Sequence, residues 1–509
     1  MAHRISTDAL SRRELLQAAG GVTFSALLPL GNGLFATNLL GALAQPKFTA
    51  YPYLQPGTSG TRLVQGKEAM VIAWQTDGTP AKFEVEYGTH NLNGRAQIES
   101  RDRQNSDYHD GARVNFVAQI QGLRLNTRYH YRVLMNGETL IEGYFTTRKP
   151  RGASTRFVAF GDNSCGDPSD HAIAYYAYQA HPDFVMNTGD NVYNHGLDSE
   201  YSRFFFPVYN SDEAGPKTGA PLLRSIPFYS VLANHDLTGN DPRQRQVADF
   251  TKHPDSLGYF TNLHLPLNGP VSPTYPLEAF GDPVAVKRFT DCAGVRYPQM
   301  GNYSYDYGDA HFLCLDSNVY VDPTDSALQE WIAQDLSHTD APWKIVVYHH
   351  PAFNVGREHY SEQHMRVLAP LLETHGVHVV LNGHEHTYQR TRPIKFVPSG
   401  PGAAKHVNTG NRLVPGTFAV DRKFDGKTVT KPDGIVHITT GAGGNDLYDP
   451  ESNDNPSKWL HPQDDNADYV ARFVSNRHSL TVVDVHRDRL EFSQVDEFGK
   501  EADQFVITR

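Results

Sequence analysis

The sequence predicts an α/β protein in two parts, an N-terminal β-sandwich and a larger layered α/β domain behind it. Three observations carry that prediction. Residues 46–148 hold only short, partly alternating apolar runs divided by Gly, Asn, Asp and Thr turns, which is how half-buried antiparallel strands read. From Arg156 onward, short continuous apolar runs alternate with helical segments, as expected of strands buried on both faces. The chain is 509 residues long, 39% hydrophobic and 11% aromatic, enough for two or three domains with an ordinary globular core.

Taken in chain order, residues 1–44 stand apart from the fold. Arg12 and Arg13 precede a Gly- and Leu-rich stretch that ends at "ALAQP", with small residues at Ala42 and Ala44. This is the form of a twin-arginine export signal cleaved near Ala44, implying the twin-arginine translocation machinery as a transient partner and a periplasmic or secreted protein. Gly31, Asn32 and Gly33 interrupt the apolar stretch, so no stable membrane span is expected after processing. That route exports folded proteins, which allows a metal to be loaded beforehand.

In residues 46–148 the expected strands are "MVIAWQTD", "AKFEVEYGT", "VNFVAQIQGL", "RYHYRVLM" and "EGYFTTRK". Gly122, Leu123 and Asn126 lead into Tyr129 and Tyr131, as at the strand entry of a fibronectin-like or immunoglobulin-like sandwich. "TTRKPRGAST" reads as a polar linker, and a second domain occupies 155–509. Its helices are expected at "DHAIAYYAYQA", "DSALQEWIAQDLS" and "HMRVLAPLLETHG", and its strands at "RFVAF", "DFVMNT", "PFYSVLA", "WKIVVY" and "VHVVL". Residues 212–223 and 394–433 are rich in Pro and Gly and read as surface insertions,. "SLTVVDV", "RLEFSQV" and "DQFVIT" complete a sheet at the C-terminal end.

A net charge of −11 argues against binding nucleic acid by bulk electrostatics and requires a locally positive site for any anionic substrate,. Of three cysteines, Cys292 and Cys314 either pair in an oxidising compartment or remain buried thiols,. Cys165 has no evident base partner and does not read as a nucleophile,. No G-x-G-x-x-G opens a helix after a strand, which removes dinucleotide binding.

The informative feature is how the strands end. "RFVAF" runs into Gly161-Asp162, "DFVMNT" into Gly189-Asp190 with Tyr193 just beyond, and "PFYSVLA" into Asn234-His235-Asp236. "WKIVVY" runs into His349-His350, and "VHVVL" into Asn382-Gly383-His384-Glu385-His386. A lone His-x-His is a weak signal, but sites in open α/β sheets collect at the carboxyl ends of strands. Carboxylates, imidazoles, a phenol and an amide without a thiolate cluster suit iron, manganese or zinc.

At these five blocks the chain resembles the purple acid phosphatases, within the calcineurin-like metallophosphoesterases. The blocks of that family are Asp-x-Gly, Gly-Asp-x-x-Tyr, Gly-Asn-His-Asp/Glu, Val-x-x-His and Gly-His-x-His. Here they read "DNS", "GDNVY", "ANHD", "VVYH" and "GHEH", in order, with Ser164 and Ala233 where the family has glycine. The resemblance extends over almost the whole chain after the export signal and implies a layered α/β/β/α catalytic domain.

It also implies a binuclear metal centre. One ion would take Asp162, Tyr193 and His386, the other Asn234, His349 and His384, with Asp190 bridging both,. A phenolate at Tyr193 favours Fe(III), and Fe, Zn or Mn would fill the second position. Successive strand side chains point to opposite faces, so only one of His349 and His350 is a simple ligand, and His349 matches the block. His235 and His359 are the expected substrate-facing groups, with His364 competing for the second role. The implied reaction is hydrolysis of a small phosphate ester, most simply a monoester, by a metal-activated hydroxide; lowering the pKa of bound water from about 15.7 to near 7 is what such ions do. The same core serves phosphodiesterases and nucleotide pyrophosphohydrolases, with insertions near 237–300 and 394–433 expected to shape the pocket rim, and a non-catalytic binding protein is the reading from a different class.

Overall fold

The structure, a computed structural model, describes residues 45–58, 60, 63, 66–104, 112–237, 248–271, 277–399, 412–459 and 469–509. The export-signal reading falls on residues 1–44 and lies outside them. No helix among the described residues is long and apolar enough to cross a membrane.

The alternation in the N-terminal part produces two four-stranded antiparallel sheets. One has the order Phe48–Gln55, Glu68–Asp77, Ala112–Leu123, Gln97–Gln104; the other Gly94–Arg95, Phe83–Gly88, Arg128–Met135, Glu138–Thr146. Period two sorts the side chains: Ile72 and Trp74 face Val85, Tyr131, Val133 and Phe145 across the sandwich, while Val71 and Ala73 face outward,. The outward face is itself covered, because Ala50, Tyr53, Val71 and Ala73 pack with Phe206 and Val208 of the catalytic part. Gln45–Arg509 accordingly form one compact unit. The strands Phe48–Gln55 and Gln97–Gln104 were not legible in the sequence; "QIESRDRQ" has almost no apolar content and is a strand through its pairing with Ala112–Leu123.

The segment expected to be a polar linker is fastened down. Arg148 forms a buried pair with Glu68 (2.6 Å) and donates to the Asp306 carbonyl at 3.2 Å, while Lys149 pairs with Asp183 at 2.7 Å. Its charges bind the two parts together rather than facing solvent.

The catalytic part has two mixed sheets stacked face to face. The first has the order Phe228–Ser230, Phe184–Asn187, Thr155–Phe160, Ser479–Val485, Arg489–Asp496, Glu501–Thr508, and its first three strands are parallel. The second has the order Tyr303–Tyr307, Ala310–Cys314, Trp343–Val347, Val379–Asn382, Val436–Thr440, Tyr388–Thr391, Val470–Val474, with four parallel strands from Ala310–Cys314 to Val436–Thr440. Phe157 and Ala159 point into the core between the sheets, where the Phe157 and Phe312 rings meet edge-on at 5.3 Å. Val158 and Phe160 point the other way, onto Ile173, Ala174 and Ala177 of helix Pro168–Gln179. Leu328, Ile332 and Leu336 of helix Ser326–His338 join the core on the far side. The order of layers is helix, sheet, sheet, helix.

Two expectations are corrected here. The third expected helix is a 3-10 turn, His364–Leu368, followed by a short α-helix, Ala369–Thr374, with Pro370 in its first turn,. Of residues 237–300, expected to shape a pocket rim, the described portion also supplies core: Leu257, Tyr259, Phe260 and Phe289 are buried, and Asp255 and Ser256 accept hydrogen bonds through their carbonyls from Arg103 of the sandwich.

Buried His311 lies between two carboxylates, Nδ1 at 2.8 Å from Asp306 and Nε2 at 2.7 Å from Asp335, with Arg151 2.9 Å from the other side of Asp306. Burial opposes charging the ring, but hydrogen bonds to Asp306 and Asp335 outweigh it and raise its pKa. Only the imidazolium can donate to both partners. The linkage sign follows: this contribution is complete below the ordinary histidine pKa of about 6.5 and disappears as pH rises through the higher folded value. The melting-temperature gap between the wild type and His311→Gln should therefore narrow from pH 6 to pH 9, as read by calorimetry. A gap that widens would contradict it.

Candidate metal centre

The carboxyl ends of the parallel strands open onto one place because the ladder continues past them. The Asp162 N–H donates to the Gly189 carbonyl (3.0 Å), Asn163 N–H to Asp190 (3.1 Å), Val231 N–H to Asn187 (3.2 Å) and Gly383 N–H to His349 (3.0 Å). Between the sheets, Gly161 N–H donates to Thr440 (3.1 Å) and Gly443 N–H returns to Gly161 (3.0 Å). Each loop is thus fixed by its neighbour before any side chain is counted.

The chain then turns sharply. Asp162, Ser164, Asp190 and His384 all lie in the left-handed region, at φ of 60°, 61°, 51° and 68°, a conformation that non-glycine residues hold only when the surroundings over-determine it. Space is made by glycine: a Cβ on Gly383 would stand 2.5 Å from Asp162 Oδ2, and one on Gly441 2.8 Å from the same atom. Ser164 lacks that freedom, although its N–H is bound by Asp170 (2.8 Å) and its Oγ accepts from Asn163 Nδ2 (2.8 Å). Relief of left-handed strain, about 1–2 kcal/mol, set against one hydrogen bond of about 1 kcal/mol, predicts Ser164→Gly to be stabilising by up to about 1 kcal/mol. A lower denaturation midpoint would show that the Asn163 contact outweighs the strain.

Six of the seven residues expected as ligands meet through side-chain contacts. Tyr193 Oη is 3.1 Å from Asp190 Oδ2, 3.3 Å from Asp162 Oδ1 and 3.1 Å from His386 Nε2. His349 Nε2 is 3.2 Å from Asp190 Oδ2 and 3.9 Å from Asp162 Oδ1. The ring of His384 lies 4.9 Å from that of His349, and ligand atoms of Asp190, His349 and His384 all fall within 4.8 Å of one another. Asn234 occupies the adjoining turn, with its Oδ1 buried; the next residue, His235, donates its backbone N–H to Asp190 Oδ1 at 2.8 Å. Asp190 is the hinge of the arrangement, since its Oδ2 faces Tyr193 on one side and His349 on the other.

The donors suit cations. His349 Nδ1 donates to the Thr188 carbonyl at 2.9 Å and His386 Nδ1 to the Asp446 carbonyl at 2.7 Å. Backbone carbonyls therefore select the tautomer that turns each Nε2 lone pair inward. The buried His349 Nε2 faces Asp190 without hydrogen-bond alignment, as two ligand atoms do when aimed at a common point. Burial pushes His386 down to about 3 and holds His384 well below the ordinary histidine value, keeping both rings neutral. Burial, reinforced by Asp190, raises both Asp162 and Tyr193, although His349 offsets part of the rise in Asp162. Burial also works against charge on Asp190, but His349 and His235 outweigh it and hold that carboxylate well below its usual range. His349 itself is pushed up to about 9, because Asp190 and Asp162 overcome its burial. A cation held here would displace that proton and favour the anionic forms of Asp162, Asp190 and Tyr193.

Around this cluster lie further groups, only some of them foreseen from the sequence. The His235 ring packs on Tyr193 at 4.3 Å, and its Nδ1 donates to the Asn194 carbonyl at 3.0 Å. The His359 ring lies tilted against His384 at 3.7 Å, whereas His364 is turned to the Ser317 carbonyl at 2.8 Å. His350 Nδ1 meets Ser317 Oγ at 2.9 Å, while its Nε2 is 3.8 Å from Glu362 and its ring 4.3 Å from that of His384, so His350, Glu362 and His384 form a second group of donors beside the first. Two groups were missed. Tyr448 stacks on His386 at 4.0 Å, and Glu362 gathers Arg412 (2.8 Å), His384 (3.3 Å) and His359 (3.5 Å). Arg412 comes from 394–433, so part of that insertion does reach the site. The thiol of Cys165 is pushed up to about 12 by burial and Asp170, which leaves it unreactive,. Cys292 and Cys314 are buried free thiols.

A calcineurin-like phosphoesterase model matches residues 155–388, and a purple acid phosphatase N-terminal domain model matches residues 61–148. Purple acid phosphatase 21 of Arabidopsis thaliana is 36% identical over 363 residues, covering 68% of this chain and 70% of the relative. Purple acid phosphatase 17 of the same plant is 29% identical over 283 residues, covering 53% and 74%. Among solved structures, a purple acid phosphatase from yellow lupin (Lupinus luteus) seeds superposes with a TM-score of 0.58 at 16% identity, over 90% of this chain and 74% of that one. The last likeness is one of fold.

Proposed function

Because this chain belongs to the purple acid phosphatases, and is therefore a metal-dependent phosphoric ester hydrolase, we propose that it is an exported acid phosphatase acting on small phosphate monoesters. The observation that carries the reading is the position of Asp190, whose Oδ2 lies 3.1 Å from Tyr193 Oη and 3.2 Å from His349 Nε2. One carboxylate facing two donor sets is what a pair of cations requires to share a site. Asp162, Tyr193 and His386 would hold one ion, for which the phenolate favours Fe(III); Asn234, His349 and His384 would hold the other, Fe, Zn or Mn. When bound, the two ions supply Lewis-acid activation of water and neutralise the phosphate charge.

The chain's own groups do the rest. His235, braced by the Asn194 carbonyl and the Tyr193 ring, keeps its Nδ1 proton on that carbonyl and, as the imidazolium, donates from Nε2 to a phosphate oxygen. His359, raised above the ordinary histidine pKa because Glu362 and Glu385 outweigh its burial, carries the proton that the leaving alkoxide needs. Tyr448 covers His386 and limits water beside it. Arg12 and Arg13 ahead of the stretch ending at Ala44 support a periplasmic or secreted location,.

Turnover of phenyl phosphate and of its bis-phenyl ester by the purified enzyme tests the substrate class. The monoester is expected to be the better substrate. Cleavage of the diester alone would overturn the reading in favour of a phosphodiesterase.

A further inference from the structure

We infer that Glu385, the acid between the two histidines of the Gly-His-x-His turn, is a positioning residue that anchors the loop carrying His359 and so holds that imidazole against His384. The inference rests on the reading of His359 as a substrate-facing group.

His384 and His386 face the metal cluster, whereas the Glu385 side chain is directed at Asn354 and the His359 backbone. Glu385 is fully buried there. Its Oε2 accepts from Asn354 Nδ2 at 2.8 Å and from the His359 backbone N–H at 3.3 Å. Asn354 extends the anchor: its Oδ1 accepts from Gly356 N–H (2.7 Å) and Gln389 Nε2 (2.8 Å), and its carbonyl accepts from Tyr469 (3.1 Å). Gln389 Oε1 in turn accepts from Val355 N–H at 3.2 Å. At Gly356 the backbone sits directly on the carboxylate, because a Cβ there would fall 1.9 Å from Glu385 Oε1. The loop is tied on its outer side too, where Arg357 meets Asp449 at 2.8 Å through Nε and also Glu451.

A buried carboxylate is expensive, and an apolar side chain of the same size would fill the space at lower cost. Oε1 has no hydrogen-bond partner among the described residues, so the group is not there for its own satisfaction. What it does is collect donors from both ends of 354–359 on the inner side of the loop, directly behind His359, whose ring lies 3.7 Å from that of His384.

The test compares Glu385→Leu, Glu385→Gln and His359→Ala in the metal-loaded enzyme with phenyl phosphate. Glu385→Leu is expected to lower kcat/KM about tenfold or more, since small misplacements of a positioned group have effects of that order. It should retain both ions and should speed backbone amide exchange in 354–359 without changing exchange in 188–193. Glu385→Gln, which keeps an acceptor oxygen, should stay within about threefold of wild type. In a His359→Ala background, Glu385→Leu should add little, as expected for residues acting as one unit. If His359→Ala alone leaves activity unchanged, the substrate-facing reading of His359 fails. If His359→Ala lowers activity while Glu385→Leu leaves it unchanged, adds in full, or strips the metals, the positioning role fails by itself; so does a loss in Glu385→Gln as large as that in Glu385→Leu. Should Glu385→Leu not fold, Asn354→Ala removes the other half of the anchor and is held to the same outcomes.

Discussion

Asp190→Ala is expected to reduce phosphatase activity by about a thousandfold or more and to cut the metal content of the purified protein. Metal ions of this kind contribute several kcal/mol of charge stabilisation in the transition state, and each 1.36 kcal/mol is about tenfold in rate. Asp190 Oδ2 stands 3.1 Å from the Tyr193 phenol and 3.2 Å from His349, closer to both than Asp162 Oδ1, which lies at 3.3 Å and 3.9 Å. The fold should survive, because the backbone loses only the His235 N–H contact to Asp190 Oδ1. Elemental analysis of the folded variant, with circular dichroism as the control, reads the effect. A variant that kept both ions and full activity would show that Asp190 does not bridge them. A variant without activity that kept its full biological effect would favour a binding role over catalysis.

His235→Ala is expected to give the second largest loss, about 10²–10³-fold in kcat, with both ions retained. Retention of metal is what separates it from Asp190→Ala. The hydrogen bond from His235 to Asp190 comes from its backbone N–H, which alanine keeps, and the contacts of its side chain are to the Tyr193 ring and the Asn194 carbonyl. An effect confined to KM would make it a binding group that holds ground state and transition state equally. Loss of metal would show instead that it acts by supporting Tyr193.

The parts of the site legible in the sequence were those that a single local rule exposes. Asp162, Asp190, His349 and His384 follow apolar runs directly, and parallel strands with hydrogen-bonded loops bring such ends together whatever the intervening length. Tyr448 and Glu362 obey no such rule. Tyr448 follows the loop after Val436–Thr440, and Glu362 precedes a 3-10 turn; neither sits on a periodic element, and each acquires its place from tertiary packing. Glu385 was visible inside its motif, yet only the path of 354–359 over its carboxylate gives it partners. The fold shows the same division. Strands with a clear apolar period were found, whereas Gln97–Gln104 is a strand by pairing alone. Residues 248–271 and 277–300 looked like rim because their Pro, Gly and Asp content hid Tyr259, Phe260 and Phe289, which are fully buried.

The metal content of the purified enzyme, measured together with its visible spectrum, bears most directly on the claim that these side chains hold a pair of ions joined by Asp190. Two ions per chain are expected, with a tyrosinate-to-iron band that vanishes in Tyr193→Phe. One ion per chain, or a band that persists in Tyr193→Phe, would contradict that claim.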